Sequence, residues 1–288
     1  MSGVVKINDK QYPQRLREIN SPPKQLYYKG NWSKGIFDNC LAVVGSRKMT
    51  VYGKIIANKL VTDIAKAGIT IVSGFMFGID AVAHKAAIDG GTQTIAVMPC
   101  GISLIHPEYQ KTLYLEILNN NGLVISEFNG IFPPASWTYP KRNRIVSGIS
   151  QAVLVIEAAI KSGSLITADF AKQHNRKIFA VPGPLTSLVS EGTAKLIQQG
   201  AEIVTESRDI LKYYNIPDSR TIRKDKSVLK LSVLERAVIE NLQQEPMEID
   251  TLIRKMQKQS SEVSALLSLM QIKGLIFREE RKYYVGSI

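Results

Sequence analysis

Seven short runs of apolar, often β-branched residues recur between Leu41 and Thr205: Leu41 to Val44, Thr70 to Ser73, Thr94 to Met98, Leu123 to Ser126, Ala152 to Ile156, Lys177 to Val181 and Glu202 to Thr205. Most lack the apolar–polar alternation of a strand with one wet face, so they read as parallel strands buried on both sides. Amphipathic stretches with a helical repeat lie between them, such as Tyr52 to Ala67, Ile79 to Asp89, Gln110 to Asn120 and Thr167 to His174. Strand and helix in turn predict a Rossmann-like α/β domain, a doubly wound parallel sheet, over residues 41–214.

Both ends of the chain depart from this pattern. In residues 1–40, Pro13, Pro22 and Pro23 break any long helix, and Tyr12, Leu16, Leu26, Tyr27 and Tyr28 indicate an extension packed on the α/β core. Residues 215–228 are polar, charged and unpatterned, and read as a linker. Leu231 to Leu242, Ile249 to Met256 and Ser260 to Lys273 then read as three helices, with Ser260 or Ser261 as an N-cap and Gly274 as a stop. Two apolar half-strands around Arg278 to Arg281 follow as a hairpin. Three helices and a hairpin predict a small C-terminal winged-helix domain over residues 229–288. The face expected to be exposed on its third helix, with Gln257, Gln259, Ser261, Glu262 and Ser264, carries little positive charge. DNA contact and protein contact both stay open for it.

Charge narrows the partner. Lys and Arg number 37 against 25 Asp and Glu, a net charge of +12, which fits nucleic acid or an acidic membrane surface. No apolar run approaches the roughly 20 residues of a membrane span, and MSGVVKINDK lacks a signal-peptide layout, so a cytoplasmic protein is expected. Two cysteines and three dispersed histidines offer neither a disulfide scaffold nor metal-ligand spacing. Cys40 and Cys100 read as small apolar fillers. We expect no metal and no cofactor.

Candidate chemistry gathers after the strands, because the loops leaving the carboxyl ends of an open parallel sheet share one edge. GSRKMTVYG follows the first strand, SGFMFGID the second, and EAAIKSGSLITA the fifth. Their glycines let backbone amides approach an anion, and Ser46, Ser162, Ser164 and Thr167 add hydroxyls. The segment Tyr139 to Gly148, YPKRNRIVSG, reads as a basic loop that sets Lys141, Arg142 and Arg144 around Asn143. A helix leaving such a loop directs its free N–H groups and positive dipole end toward the same place. With Arg47, these loops form a phosphate-binding edge. Phe75, Phe77, Trp137 and Tyr139 flank it as candidates for stacking unpaired bases.

With these loops in place the chain resembles the DNA-processing protein A family (DprA, also called Smf). The likeness rests on AVVGSRKMTVYG, SGFMFGIDAVAHKAA, SEF followed by YPKRNRIVSGIS, VIEAAIKSGSLITA, FAVPG and GTAKLIQQGA, in the family's order and spacing. It implies a cytosolic, ATP-independent protein that binds single-stranded DNA, helps load the RecA recombinase onto it during natural transformation, and forms a homodimer through the α/β domain. Carried over position by position, the DNA-contacting residues are Ser46, Arg47, Gly74, Gly78, Lys141, Arg142, Asn143, Arg144, Ser162, Gly163, Ser164 and Thr167, to which Phe75 is added as a stacking residue. The sequence departs from the family pattern at Met76 and Phe77, at Gly192-Thr193-Ala194 and at His106-Pro107. The resemblance also leads us to expect no N-terminal helical domain of the kind many members carry.

Asp80 and His84 are spaced for a hydrogen-bonded pair on one helix face. Without a nucleophile or second carboxylate in a matching motif they read as loop-fixing residues, and Glu157 as a carboxylate that orients a neighbouring Arg or loop amide. The expected function is single-strand binding without catalysis, protecting incoming DNA. A nucleotide-binding enzyme of related fold, phosphoribohydrolase-like, is the alternative, although its PGGxGTxxE signature is absent. A dinucleotide oxidoreductase fits less well, since VVGSRKMTVYG is not GxGxxG, and a nucleotide-sensing scaffold acting through the winged helix is a third reading.

Overall fold

A computed structural model describes residues 1–217 and 231–286, and the chain divides into two units, Met1–Ser219 and Arg220–Ile288. In the first unit the chain runs through β1 (Ser2–Lys6), α1 (Gln14–Arg17), β2 (Gln25–Gly30), β3 (Cys40–Val44), α2 (Val51–Lys66), β4 (Thr70–Ser73), α3 (Ile79–Asp89) and β5 (Thr94–Val97). It continues through α4 (Lys111–Asn119), β6 (Leu123–Ser126), α5 (Thr138–Ile149), β7 (Ala152–Val155), α6 (Gly163–Gln173), β8 (Lys177–Ala180), α7 (Glu191–Gln198), β9 (Glu202–Ile203) and α8 (Ser207–Tyr213). These strands make one nine-stranded sheet in the order β1-β2-β6-β5-β4-β3-β7-β8-β9.

The alternation of side chains along each strand explains the two helical layers. On β3, Cys40, Ala42 and Val44 face a core completed by Leu16 and Ile19, by Ile145, Val146 and Ile149 of α5, and by Ala168 and Ala171 of α6. Leu41 and Val43 face the opposite core, filled by Leu60, Val61 and Ile64 of α2, Ala83 and Ala87 of α3, and Ile210 and Leu211 of α8. Burial on both faces explains why these strands read as continuous apolar runs.

Chain order fixes where a ligand fits. From β3 the chain steps outward through β4, β5 and β6, then returns to β7 on the other side of β3. The loops after β3 and β7 therefore diverge into opposite layers and leave a crevice between them, the switch point of an open α/β sheet.

Three expectations are corrected. The first forty residues are part of the sheet itself: β1 pairs antiparallel with β2 and β2 with β6, with Val5 and Leu26 paired and buried. The segment Tyr139 to Gly148 lies within helix α5. Pro140 sits in its first turn, where a backbone N–H has no helical acceptor to lose. The cations that made the segment look like a loop mask an apolar stripe of Ile145, Val146 and Ile149. Helix α6 starts at Gly163 rather than Thr167, because Ser162 caps it by accepting from the Ser164 amide.

The second unit contains α9 (Val233–Gln244), β10 (Met247–Glu248), α10 (Ile249–Met256), α11 (Ser260–Ile272), β11 (Ile276–Glu279) and β12 (Lys282–Val285), with strand order β10-β12-β11, a winged helix. Its core is Val238, Ile239, Leu252, Val263, Leu267, Met270 and Tyr283. Ser232 and Glu235 form a capping box on α9. Gln259 occupies the N-cap of α11 and makes no side-chain cap bond, so the expected serine cap is not used. Most of the expected linker lies outside the described residues; Ile216, at its start, belongs to the first unit and packs on its core. No helix among the described residues is long and apolar enough to cross a membrane.

Candidate nucleic-acid interface

The crevice at the switch point is a cleft of about 580 Å³. One wall is the turn after β3, with Gly45, Ser46, Arg47 and Lys48; the other is the β7–α6 turn, with Ala159, Lys161, Ser162, Gly163, Ser164 and Thr167. Gly74, Met76 and Asp80 from the β4–α3 segment and Ser136, Tyr139, Pro140, Arg142 and Asn143 around the start of α5 close it. Of the residues singled out from sequence, Ser46, Arg47, Gly74, Arg142, Asn143, Ser162, Gly163, Ser164 and Thr167 meet here. Phe75, Gly78, Lys141 and Arg144 do not line it.

The arginines divide into structural and available ones. Arg142 is 4% exposed, and its Nη1 donates to the carbonyls of Gly74 and Val97, at the ends of β4 and β5. Burial brings its pKa down to about 10, opposed by the nearby Asp80. Its Nε reaches Asn143 Oδ1 at 3.1 Å, and Asn143 Nδ2 donates to Gly163 O at 3.2 Å, so the pair ties α5 to the start of α6. Arg144 is buried and held by both oxygens of Glu127 at 2.7 Å. Lys141 is half-exposed, 3.4 Å from the same carboxylate. The expected row of cations at this segment thus reduces to Lys141, on the flank of α5 away from the cleft.

Exposed positive charge in the cleft comes instead from Arg47, Lys48 and Lys161. The two lysines were missed as site residues, although each adjoins one that was chosen, Arg47 and Ser162. The Arg47 guanidinium lies 5.0 Å from the Tyr139 ring centroid and 5.7 Å from that of Phe77, a cation–π cage that limits its wandering. Tyr139 is itself fixed by its hydroxyl, 2.9 Å from His106 Nε2. Opposite stands the N-terminus of α6, with its dipole and a Ser162–Ser164 hydroxyl pair 2.7 Å apart. A cationic wall facing a helix N-terminus suits an anion with several acceptor oxygens.

Two glycines act by allowing close approach. A Cβ on Gly74 would lie 2.5 Å from Arg142 Nη2, so the space belongs to the guanidinium. Gly78 has φ +81, and a Cβ there would meet the Arg47 carbonyl at 2.7 Å. Gly78 locks the β3 and β4 turns together; Ile79 N donates to Ser46 O at 3.2 Å beside it. Phe75 is fully buried, its ring packed edge-on against Tyr114, and is removed from the stacking candidates. A glycine-rich loop made it look exposed, whereas its backbone turns the ring into the α4 core.

The expected Asp80–His84 pair does not form. Asp80 accepts from Met76 N at 3.3 Å, and burial raises its pKa against the pull of Arg142. His84 Nδ1 lies 2.7 Å from Thr94 Oγ1, whose proton goes to Ile71 O. The ring is therefore neutral with its proton on Nδ1, and burial, helped by Arg142, pushes its pKa down to about 3. Glu157 is 3% exposed and spends both oxygens on Thr50: Oε2 accepts from the amide at 3.0 Å and Oε1 from the hydroxyl at 2.5 Å. It orders the N-cap of α2. Cys40 and Cys100 are buried, and burial raises their thiols to about 12 and about 11, so neither is a thiolate at neutral pH.

The profile of the DNA recombination-mediator protein A family matches residues 3–215, and that of the DprA winged-helix domain matches residues 224–280. This chain belongs to the DprA/Smf family. Protein Smf of Escherichia coli is 41% identical over 209 residues, covering 73% of this chain and 56% of the relative. The chain thus matches little more than half of that protein. DprA of Bacillus subtilis is 38% identical over 210 residues, 73% of this chain and 70% of the relative. Among solved structures, DprA of Streptococcus pneumoniae superposes with a TM-score of 0.69 at 37% identity, covering 73% of this chain and 74% of that one. DprA of Helicobacter pylori, whose structure was described for its single-stranded DNA binding mode, superposes with a TM-score of 0.66 at 29% identity over 75% of this chain and 96% of that one. The DprA/Smf match begins at residue 3, in keeping with β1 and β2 being sheet strands.

Proposed function

We propose that this DprA/Smf member binds single-stranded DNA with the cleft at its sheet switch point, does no chemistry on it, and helps load the RecA recombinase onto it during natural transformation. It acts as a cytoplasmic homodimer and shields the incoming strand. One observation carries the reading. Arg47 and Lys48 face the N-terminus of α6 and the Ser162 and Ser164 hydroxyls across one cleft, with Lys161 beside that N-terminus, an arrangement that complements a phosphate backbone. The relative from Helicobacter pylori, described as a single-strand binder, supports it. Glu157 and His84 support the absence of chemistry, since both are buried and committed to Thr50 and Thr94.

Titration of labelled single- and double-stranded oligonucleotides, run beside an assay for free base from nucleoside monophosphates, tests the proposal. We expect preferential single-strand binding, no product, and faster RecA nucleation on strands coated with a single-strand-binding protein. Release of base, abolished by Glu157→Gln in folded protein, would replace the binder with a phosphoribohydrolase-like enzyme.

A further inference from the structure

A second aromatic group lies beside the start of α5. Phe128 and Phe132 stack with centroids 4.7 Å apart and planes 10° from parallel, and Trp137 closes edge-on against them at 5.7 and 6.1 Å. These rings are not core: Trp137 is 52% and Phe132 38% exposed, with Ile131 beside them at 78%. The loop that carries them is held in place. Phe132 O accepts from Gly101 N at 2.8 Å, Phe128 O from Ile102 N at 3.0 Å, and Gly130 O from Ser103 N at 2.9 Å. The rings are thus set before any partner arrives. Lys141 Nζ lies 5.2 Å over Phe128 and 5.8 Å over Trp137, and the carboxylate near it, Glu127, is also engaged by Arg144 at 2.7 Å.

We propose that Phe132 and Trp137, with Lys141 over Trp137 and the adjoining Phe128, form a second subsite for the same strand, where unpaired bases stack on the rings and Lys141 meets the passing phosphate. The proposal rests on the reading of the cleft given above. Continuity with the cleft identifies the occupant. Ser136 lines the cleft and Trp137 is the next residue, while Gly101 to Ser103 pin the ring-bearing loop and His106, three residues further on, holds Tyr139 in the cleft wall. Tyr139 and Asn143 share the cleft side of α5; Trp137 and Lys141, also four apart, share the opposite side, and Trp137, at the N-cap, stands at the very end of the helix beside Ser136. A strand leaving the cleft at Ser136, round the N-terminal end of α5, therefore runs onto the rings. Flat apolar faces under a cation, on a chain of net charge +12, match a nucleic acid strand better than an apolar protein surface.

The subsite would select the strand. Phosphate contacts are open to any backbone and carry no information about base pairing. A solvent-facing ring accepts only a base whose own face is free, so discrimination against duplex belongs to Phe132 and Trp137. The chain has two tryptophans, and Trp32 packs between Tyr28 and Phe37, away from this loop. In a Trp32→Phe background Trp137 is the sole tryptophan reporter. Titration with oligothymidylates of increasing length should quench its emission once the strand outgrows the cleft. Trp137→Ala and Phe132→Ala should each weaken binding of long strands by roughly five- to hundredfold, the range for one stacked base. They should leave the shortest strands and duplex unaffected, and Trp137→Phe should restore most of the loss. Binding that needs Arg47 yet leaves Trp137 emission and both alanine variants unchanged would overturn the subsite while sparing the cleft. Equal losses for single strand and duplex would also overturn it. Absence of any single-strand binding by the wild-type protein would remove both.

Discussion

Arg47 and His84 show how differently two polar side chains can be used in one fold. Arg47 is exposed and held between two rings, ready for an anion. His84 is wholly buried and neutral, and that has a consequence for stability. The unfolded chain takes up a proton at this residue near pH 6.5, whereas the folded protein does so only near pH 3. Between those values the unfolded state binds more protons, so stability is full above about pH 6.5 and is lost as pH falls below it. Denaturant titrations from pH 7.5 to 5 should show stability falling by up to about 1.4 kcal/mol per pH unit for this group. His84→Gln should flatten that slope relative to wild type. A wild-type curve that is level through this range would contradict the neutral buried assignment.

At the scale of elements, helix α5 joins the cleft to the sheet, and Arg142 is the pin. Its guanidinium supplies donors to Gly74 O and Val97 O, so Arg142→Ala leaves two buried carbonyls without partners, at about 1–3 kcal/mol each. We expect this variant to melt several degrees below wild type, since about 1 kcal/mol moves a domain of this size by roughly 2–4 °C. Arg47→Ala should melt with wild type. Equal melting temperatures for all three proteins would mean that Arg142 is a ligand contact and not a pin. The parallel strands and the longer helices were legible because burial on both faces leaves an apolar signature. Helix α5 was not, because its first half is a run of cations whose burial depends on carbonyls and on Glu127, partners far away in sequence. Strands β1 and β2 were obscured by prolines and by tyrosines such as Tyr28, half-buried on β2, one strand in from the sheet edge. In the cleft, the loops around Ser46 and Ser162 could be read from glycine and hydroxyl content, but the inward turn of Phe75 follows from a backbone φ of 57 that no local pattern announces.

For the whole molecule, the nine-stranded unit contains the entire cleft, and the winged helix forms its own core from residues 231–286. A chain ending after Pro217 should therefore fold and keep most of its affinity for single strands, as read by anisotropy of a labelled oligonucleotide. Loss of nearly all binding in that folded fragment would make the winged helix the principal DNA reader. The central claim is that Arg47 and its neighbours hold a phosphate backbone, and the salt dependence of single-strand affinity tests it most directly. Wild-type affinity should fall steeply and log-linearly with salt, by about 0.7 in slope per phosphate neutralised. Arg47→Ala should bind more weakly and lose about one such increment. An affinity that stays constant from low to high salt, or an Arg47→Ala line that superposes on wild type, would contradict the account.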